Sequence, residues 1–381
     1  MPIFDQGYQH WRGTVGRRTP GWGAITWQGV KVQIQSRWVK ILLAMSVAPS
    51  LALAAFLIFW GLVEQQSSFI QPLLGLLQGL PEEVRSGPKG YRFMIWTLAF
   101  NFFIMFQLFF SMMLVLVVGP DLISKDLRFN ALPLYLSRPL RRLDYFLGKL
   151  GVIGFYLVLV TAAPIAIAYV LGVAFSMDVT VLADTWRIAA GAMLWSLVVI
   201  VSAGTLMLAI SSLSRNSRYV SIIFVVWWFV LSTASTSVWS AMPRGPDQAR
   251  PDWPRVISYT NNLWRIGEVC IGTEAAWAQW DQLLQSAQKT AAAGAAMATG
   301  MGGRGGPVRI GGVVTGNSGS SRPRPRPVRE DDEASAAREA DQRGSLRQTF
   351  PWQWSAAVLA GVFLLSVLIL TTRVRSLDRL K

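Results

Sequence analysis

Six apolar stretches divide this chain of 381 residues, and each is long enough to cross a lipid bilayer as a helix. A helix rises about 1.5 Å per residue, so the hydrocarbon core of about 30 Å requires roughly 20 apolar residues. Lipid offers no partner to a bare peptide group, and the alternation typical of barrel strands is absent. The sequence therefore predicts an all-α integral membrane protein with six transmembrane helices, over residues 41–63, 94–118, 150–175, 188–210, 219–239 and 355–372.

The composition agrees with a membrane protein and argues against a water-soluble one. Hydrophobic residues make up 52% of the chain and charged residues only 15%, whereas soluble domains carry about 25% charged residues. The net charge of +15 comes mostly from Lys and Arg beside the apolar stretches, where these residues act as topology signals. We therefore expect membrane lipids, and no nucleic acid, as partners.

The distribution of basic residues predicts how the chain is oriented. Eighteen Lys and Arg flank one side of the six stretches, and four lie in the two short loops on the other side. The richer side faces the cytoplasm, so both termini are predicted inside, in a multi-pass protein of the plasma (inner) membrane. No apolar stretch precedes residue 41, so no cleavable signal peptide is expected.

Before the first stretch, residues 21–40 show an amphipathic pattern. Apolar residues recur there at three- and four-residue steps, so Trp27, Ile34 and Trp38 share one helical face. This pattern predicts an amphipathic interfacial helix in the cytoplasmic headgroup layer. A soluble amphipathic helix packed on another element is the alternative.

A dense polar segment, residues 119–149, separates the second stretch from the third. Its first part can extend the second span as a helix until Asn130 and Pro133, which favour a turn and a helix end. A second helix can start at Pro139, because proline is tolerated in a first helical turn. The predicted result is a helical coupling loop that can transmit a push from a partner.

The residue pattern of this loop is that of a charged helix end, a turn, a leucine run, a Pro-Arg group and a final Gly-Lys pair. The residues concerned are Lys125, Asp126, Arg128, Asn130, Arg138, Pro139, Arg141, Arg142, Gly148 and Lys149. The pattern resembles the cytoplasmic coupling loop of type 2 ABC exporter (ABC-2) permeases. Two positions depart from it, because Asn130 stands where glycine is usual and Pro133 where glutamate is usual.

The resemblance implies the permease subunit of an ATP-driven ABC exporter for an unidentified lipid, polymer or hydrophobic substrate. A separate ABC ATPase subunit would bind this loop and the short basic loop with Arg215 and Arg218, and that subunit would carry ATP and Mg²⁺. The permease would act as a homodimer or pair with a similar permease. This chain has no G-x-x-x-x-G-K-[ST] motif, so no cofactor, no metal and no enzymatic activity are expected on it.

Two other functions stay open. The chain could be a non-transporting membrane anchor or assembly subunit for an ATPase complex, which the sequence does not distinguish from a permease. It could also be a membrane enzyme acting on a lipid-linked substrate, but no cluster of acids or histidines supports this. His10 is the single histidine and has no histidine or cysteine partner for a metal.

Polar residues inside the spans are sparse, and they suggest a translocation path along the second and fifth spans. The members are Asn101, Gln107, Ser111, Ser232, Ser235 and Thr236. Hydrogen bonding between helices is the commoner use of such groups and is the alternative. The carboxylates of Glu64, Asp178 and Asp184 lie at outer span ends, where we expect solvated caps.

The remaining organisation follows from composition. Residues 1–20 form a cytoplasmic tail, and 41–240 contain the first five spans and the coupling loop. Amphipathic short helices on or in the outer membrane face are predicted over 241–290, and span six with a basic tail over 351–381. Residues 291–350 form a Gly/Ala/Arg/Pro-rich insertion, predicted to be disordered because it cannot bury a core. Its Arg-Pro tract could suggest a nucleic-acid arm, but its predicted outer location argues against that.

Overall fold

The computed structural model describes residues 21–65, 81–131, 142–243, 252–301 and 350–377. The described chain is 91% helical and contains no strand. Six of its helical segments are long and apolar enough to cross a membrane. The all-α fold and the number of spans predicted from the sequence are therefore confirmed, and the chain is a multi-pass membrane protein.

Fourteen α-helices, one 3₁₀ helix (Pro88–Tyr91) and one π-helix (Val226–Val230) follow one another along the described ranges. The α-helices are numbered in chain order. They are α1 (Gly21–Gln33), α2 (Arg37–Glu64), α3 (Glu82–Ser86), α4 (Arg92–Val118), α5 (Pro120–Arg128), α6 (Arg142–Val160), α7 (Ala162–Ser176), α8 (Thr180–Leu213), α9 (Ser217–Val225), α10 (Leu231–Ala241), α11 (Trp253–Ile257), α12 (Tyr259–Ile271), α13 (Thr273–Met301) and α14 (Trp352–Leu377). Span one is α2, and span two is α4, from which α5 continues to Arg128. Span three is α6 with α7, and span four is α8. Span five is α9 with α10 and the π-helix between them, and span six is α14.

The bundle has two ends, the elbow end and the far end. The elbow end carries α1, α5 and the turn between α8 and α9, and the far end carries the carboxyl terminus of α2 and the amino terminus of α4. Between the two ends lies one continuous apolar core. Its largest fully buried side chains include Trp60, Trp96, Trp195 and Tyr156, contributed by four different spans.

The amphipathic helix α1 is shorter than predicted. It ends at Gln33, a turn follows, and α2 starts at Arg37, so Trp38 belongs to the first span and not to the interfacial helix. Helix α1 ends early because the chain changes direction after Gln33. Helix α1 lies against α6, whereas α2 runs into the bundle. The Tyr156 hydroxyl of α6 donates to the Val30 carbonyl of α1 at 2.8 Å. Trp27 points away from this contact and is exposed.

The third span is broken in its middle, between α6 and α7. Pro164 has no N–H, so the Val160 carbonyl four residues earlier loses its helical donor. The buried Gln107 side chain of α4 donates to that carbonyl instead. Gln107 therefore restores a backbone hydrogen bond that proline removes, which matters in a hydrocarbon setting where no water can do so.

The helices after span five pack into the bundle. The Tyr259 and Ser202 hydroxyls lie 2.7 Å apart, and the Trp195 indole donates to the Leu263 carbonyl at 3.1 Å, so α12 is seated against α8. Gly191 of α8 faces the backbone of Cys270 so closely that no larger residue fits there. Helix α13 runs to Met301 and so includes residues 291–301, the first part of the predicted insertion. Residues 302–349 lie outside the described ranges.

Candidate functional site

The predicted coupling loop, residues 119–149, is called the elbow below. It begins with α5, which continues the line of the second span. Pro120 opens α5 at a first-turn position, and Asn130 ends the helical course with φ of 49°. Asparagine tolerates this left-handed conformation, so the predicted turn at Asn130 is confirmed. Arg138, Pro139 and Arg141 lie outside the described residues, and of Arg142 only the backbone, which starts α6, is described.

Helix α5 is fastened to span four through one buried hydroxyl. Ser211 of α8 accepts from the backbone N–H groups of Ile123 and Ser124 at 3.2 and 3.1 Å, and donates to the Pro120 carbonyl at 2.9 Å. The first turns of a helix have free N–H groups, and Ser211 uses them as the attachment point. Any movement of α5 is therefore passed to α8.

A second fastening joins α5 to span three. Asp126 and Lys149 form an ion pair at 2.7 Å, with side chains only 14% and 12% exposed. The Tyr145 hydroxyl also donates to Asp126 at 2.7 Å. Two residues that the sequence analysis grouped with the partner contacts thus face inward and hold the elbow to α6. Gly148 is also internal, since its carbonyl accepts from the Thr26 hydroxyl of α1 at 3.0 Å.

A basic groove lies on the exposed side of α5. Its volume is about 700 Å³, and it is lined by the exposed end of α5 and by the turn that begins α9. Asn216 caps α9 by accepting from the Arg218 N–H at 3.1 Å, which fixes the turn. The lining residues, called the basic groove below, are Asp121, Lys125, Arg128, Arg215, Asn216, Ser217 and Arg218.

The charge of the basic groove favours an acidic partner. Four cationic side chains face it, and the one carboxylate, Asp121, is paired with Lys125 at 2.7 Å. Phe129 stands beside the groove with its ring 72% exposed and the Arg128 guanidinium 5.6 Å from the ring centre. An exposed aromatic ring next to several arginines is a composition common at protein interfaces.

The predicted translocation-path residues fall into separate settings. Asn101 accepts from the Trp264 indole of α12 at 3.3 Å, and Gln107 bonds to Val160 in span three. The Ser111 hydroxyl donates to the Gln107 carbonyl of its own helix at 2.8 Å.

The predicted path residues of span five have other contacts. Ser232 bonds to Ser258 and Thr260, each at 2.9 Å. Ser235 is buried and Thr236 is exposed. Asn101, Gln107 and Ser232 therefore bond to other helices. Ser111 and Thr236 donate instead to carbonyls of their own helices.

The far end holds a charged cluster that the sequence analysis interpreted wrongly. Arg92 contacts Glu64 at 2.7 Å, Asp184 at 2.9 Å and Asp178 at 3.3 Å. The Arg92 and Glu64 side chains are only 3% and 2% exposed, so Glu64 is a buried ion-pair member and not a solvated cap. The sequence did contain a signal for this ion pair. Glu64 follows the first apolar stretch and Arg92 precedes the second, and two antiparallel spans bring these positions to the same end.

The carboxylate of Asp178 is held ionised. It lies in the loop between α7 and α8, where the Thr180 side chain and N–H donate to it, with Lys89 and Arg92 adding two further donors. These hydrogen bonds stabilise the charged form and lower the pKa of Asp178 well below its usual value. The Asp178 carboxylate therefore stays ionised throughout the range of ordinary buffers.

Comparisons with known proteins complete the description of the site. No protein-family model matches this chain, and no curated protein matches it either.

Proposed function

We propose that this chain is the permease subunit of an ATP-driven ABC exporter and that a separate ATPase subunit binds the basic groove. One observation carries the proposal. The end of α5 and the start of α9, about ninety residues apart in sequence, line the same groove. Both segments had been expected to contact the ATPase on the resemblance of the coupling loop to ABC-2 permeases.

The attachments of α5 supply a route for mechanical work. A force on the groove acts on α5, which Ser211 connects to span four and the Asp126–Lys149 pair connects to span three. Span four is the most deeply buried of the six, since 67% of an 18-residue apolar stretch within it is buried. A displacement of α5 would therefore reach the centre of the bundle instead of being absorbed by a loose loop.

The proposal also covers the orientation of the chain, its substrate and its pairing. The basic groove lies on the side where Lys and Arg are concentrated, and the preference of such residues for the inner side supports a cytoplasmic location for the groove and for both termini. ATP and Mg²⁺ bind to the partner subunit. The transported substrate is a lipid, polymer or hydrophobic compound, and the chain pairs with a second copy or a similar permease.

A second candidate function has one observation in its favour. Three of the polar residues in the second and fifth spans, Asn101, Gln107 and Ser232, are used in hydrogen bonds to other helices. A chain without a polar path of its own could be a membrane anchor that holds an ATPase in a larger assembly. Transport measured in vesicles separates the two, because an anchor binds the ATPase without moving a substrate.

Charge reversal in the basic groove tests the proposal. We expect Arg215→Glu with Arg218→Glu to lower the yield of copurified ATPase by at least about tenfold, because a cationic surface is replaced by an anionic one. The measurement is affinity purification of the tagged chain after coexpression with an ATPase subunit that carries Walker motifs, followed by quantitative mass spectrometry.

A matched control lies at the far end. Arg85→Glu with Arg187→Glu reverses two exposed arginines away from the groove and is expected to leave the yield unchanged. Equal ATPase yields from the groove variant and the unsubstituted chain, both correctly inserted, would show that the groove is not the docking surface.

A further inference from the structure

An apolar cleft of about 590 Å³ opens between α2, α4 and the first half of α13. The small side chains of Pro49, Ala52 and Ala99 leave the space that it occupies. Aromatic side chains surround that space, among them Phe56 and Trp280. Asp281 of α13 is the one polar residue in its lining. A volume of this size lies within the range of about 300–1,000 Å³ that is usual for small-molecule sites.

The cleft is elongated along the helices. Its lining residues on α4 run from Ile95 to Phe106 at three- and four-residue steps, which corresponds to about 16 Å of helix. A cleft of this shape can hold a single hydrocarbon chain that lies along α4.

The cleft extends deep into the membrane part. Counting from the far end, Pro49 lies about 22 Å along α2 from Glu64, and Phe106 lies about 21 Å along α4 from Arg92. The surrounding surface is hydrocarbon-facing, since Phe56, Phe102 and Phe106 line the cleft and are still 41%, 40% and 54% exposed. The cleft is thus continuous with the surface that contacts lipid.

The polar end of the cleft is directed toward the far end. Asp281 lies about 8 Å along α13 from Ser286, whose hydroxyl donates to Glu83 of α3 at 3.0 Å. Trp277 and Trp280 accompany Asp281, and tryptophan is typical of the boundary between hydrocarbon and headgroups. An occupant with an apolar chain and one polar head matches this distribution.

We propose that this cleft binds one acyl chain of a phospholipid, with the chain along α4 and the headgroup at the far end beside Asp281. The site belongs to this chain alone and does not depend on an ATPase partner. Its failure and the failure of the proposed transport function are therefore separate outcomes.

The test counts the phospholipids that remain on the purified protein. The full chain is solubilised in dodecyl maltoside, supplied with palmitoyl-oleoyl phosphatidylethanolamine, and examined by native mass spectrometry. We expect one retained phospholipid per chain. Ala52→Trp with Ala99→Trp fills the cleft and should reduce retention by at least about fivefold. Ala357→Trp with Ala360→Trp, at two exposed alanines on α14, adds the same bulk elsewhere and should leave retention unchanged.

A second measurement does not require the filled variant to fold. In liposomes containing a phospholipid brominated on one acyl chain, Trp277→Phe with Trp280→Phe should remove a quenched part of the tryptophan fluorescence that saturates at low brominated-lipid content. Equal retention in the filled and unsubstituted chains, or quenching that rises only in proportion to brominated lipid, means ordinary bilayer contact and overturns the proposal. Crosslinking of Phe56 or Phe102 positions to a second copy, or to residues 66–80, with no retained lipid would also overturn it.

Discussion

The guanidinium of Arg92 contacts three carboxylates from three separate parts of the chain. Glu64 ends span one, Asp178 lies between α7 and α8, and Asp184 is in the first turns of α8. Ser176 adds a hydrogen bond from its hydroxyl to Glu64 at 3.2 Å. The Arg92 side chain therefore joins the far ends of the first four spans. Its removal would weaken the contacts among several helices at once.

Removing the arginine should be costly. Arg92→Met leaves the buried Glu64 carboxylate without its guanidinium, so we expect a destabilisation of about 3–5 kcal/mol. The measurement is thermal unfolding of the detergent-solubilised chain. Glu64→Gln added to Arg92→Met should recover part of the loss because it removes the uncompensated charge. Arg187→Met, at an exposed arginine on α8, is the control, and an Arg92 variant as stable as this control would contradict the structural role.

Some residues could be interpreted from the sequence alone, and others could not. Asn130 was predicted as a turn from its own conformational preference, and it is one. The roles of Glu64 and Gln107 could not be obtained in that way, because each depends on a partner in a different helix. Hydropathy reports how apolar a segment is and carries no information about which distant carboxylate or carbonyl a polar residue meets.

At the scale of elements, the joint between α1 and α6 depends on small residues. A side chain added at Gly148 would begin 2.7 Å from the Cβ of Ile25 and 3.1 Å from the Trp22 carbonyl. Gly29 of α1 is opposed in the same way to Val152 of α6. Close approach of two helix backbones through small residues is a common packing mode in membranes.

A single substitution should separate these two helices. Gly148→Leu is expected to displace α1 from α6 and to make residues 21–33 accessible to protease while the spans remain inserted. Limited proteolysis of membranes, followed by mass spectrometry of the fragments, provides the measurement. Gly361→Leu in α14 is a matched control, because no atom lies within 4 Å of a side chain added there. Identical cleavage patterns would show that the joint tolerates the larger residue.

The elements themselves were largely accessible from the sequence. The six predicted spans correspond to the six observed ones because lipid selects for long apolar runs whatever their neighbours are. The positions where helices end were harder to predict. Helix α1 ends early because the chain changes direction, and the third span is interrupted close to Pro164. The groove was anticipated only as two unconnected basic loops, and their meeting depends on the Ser211 contact between α5 and α8.

At the scale of the whole molecule, the orientation in the bilayer is open to a direct test. We expect the turn at Asn216 to face the cytoplasm and Val179, which is 86% exposed, to face the outside. In a Cys270→Ala background, Val179→Cys should react with a membrane-impermeant maleimide on intact cells. Asn216→Cys should react only after the cells are permeabilised. Labelling in the reverse pattern would place the basic groove outside and would remove the basis for an ATPase partner there.

The start of span six is held independently of the long segment that precedes it. Arg265 of α12 donates through Nε to the Phe350 carbonyl at 2.9 Å, and the Phe350 side chain is itself buried. Tertiary contacts therefore hold the start of α14 in place. We expect a fluorescent reporter inserted near residue 320 to leave the bundle intact and to provide a handle for following the protein in living cells.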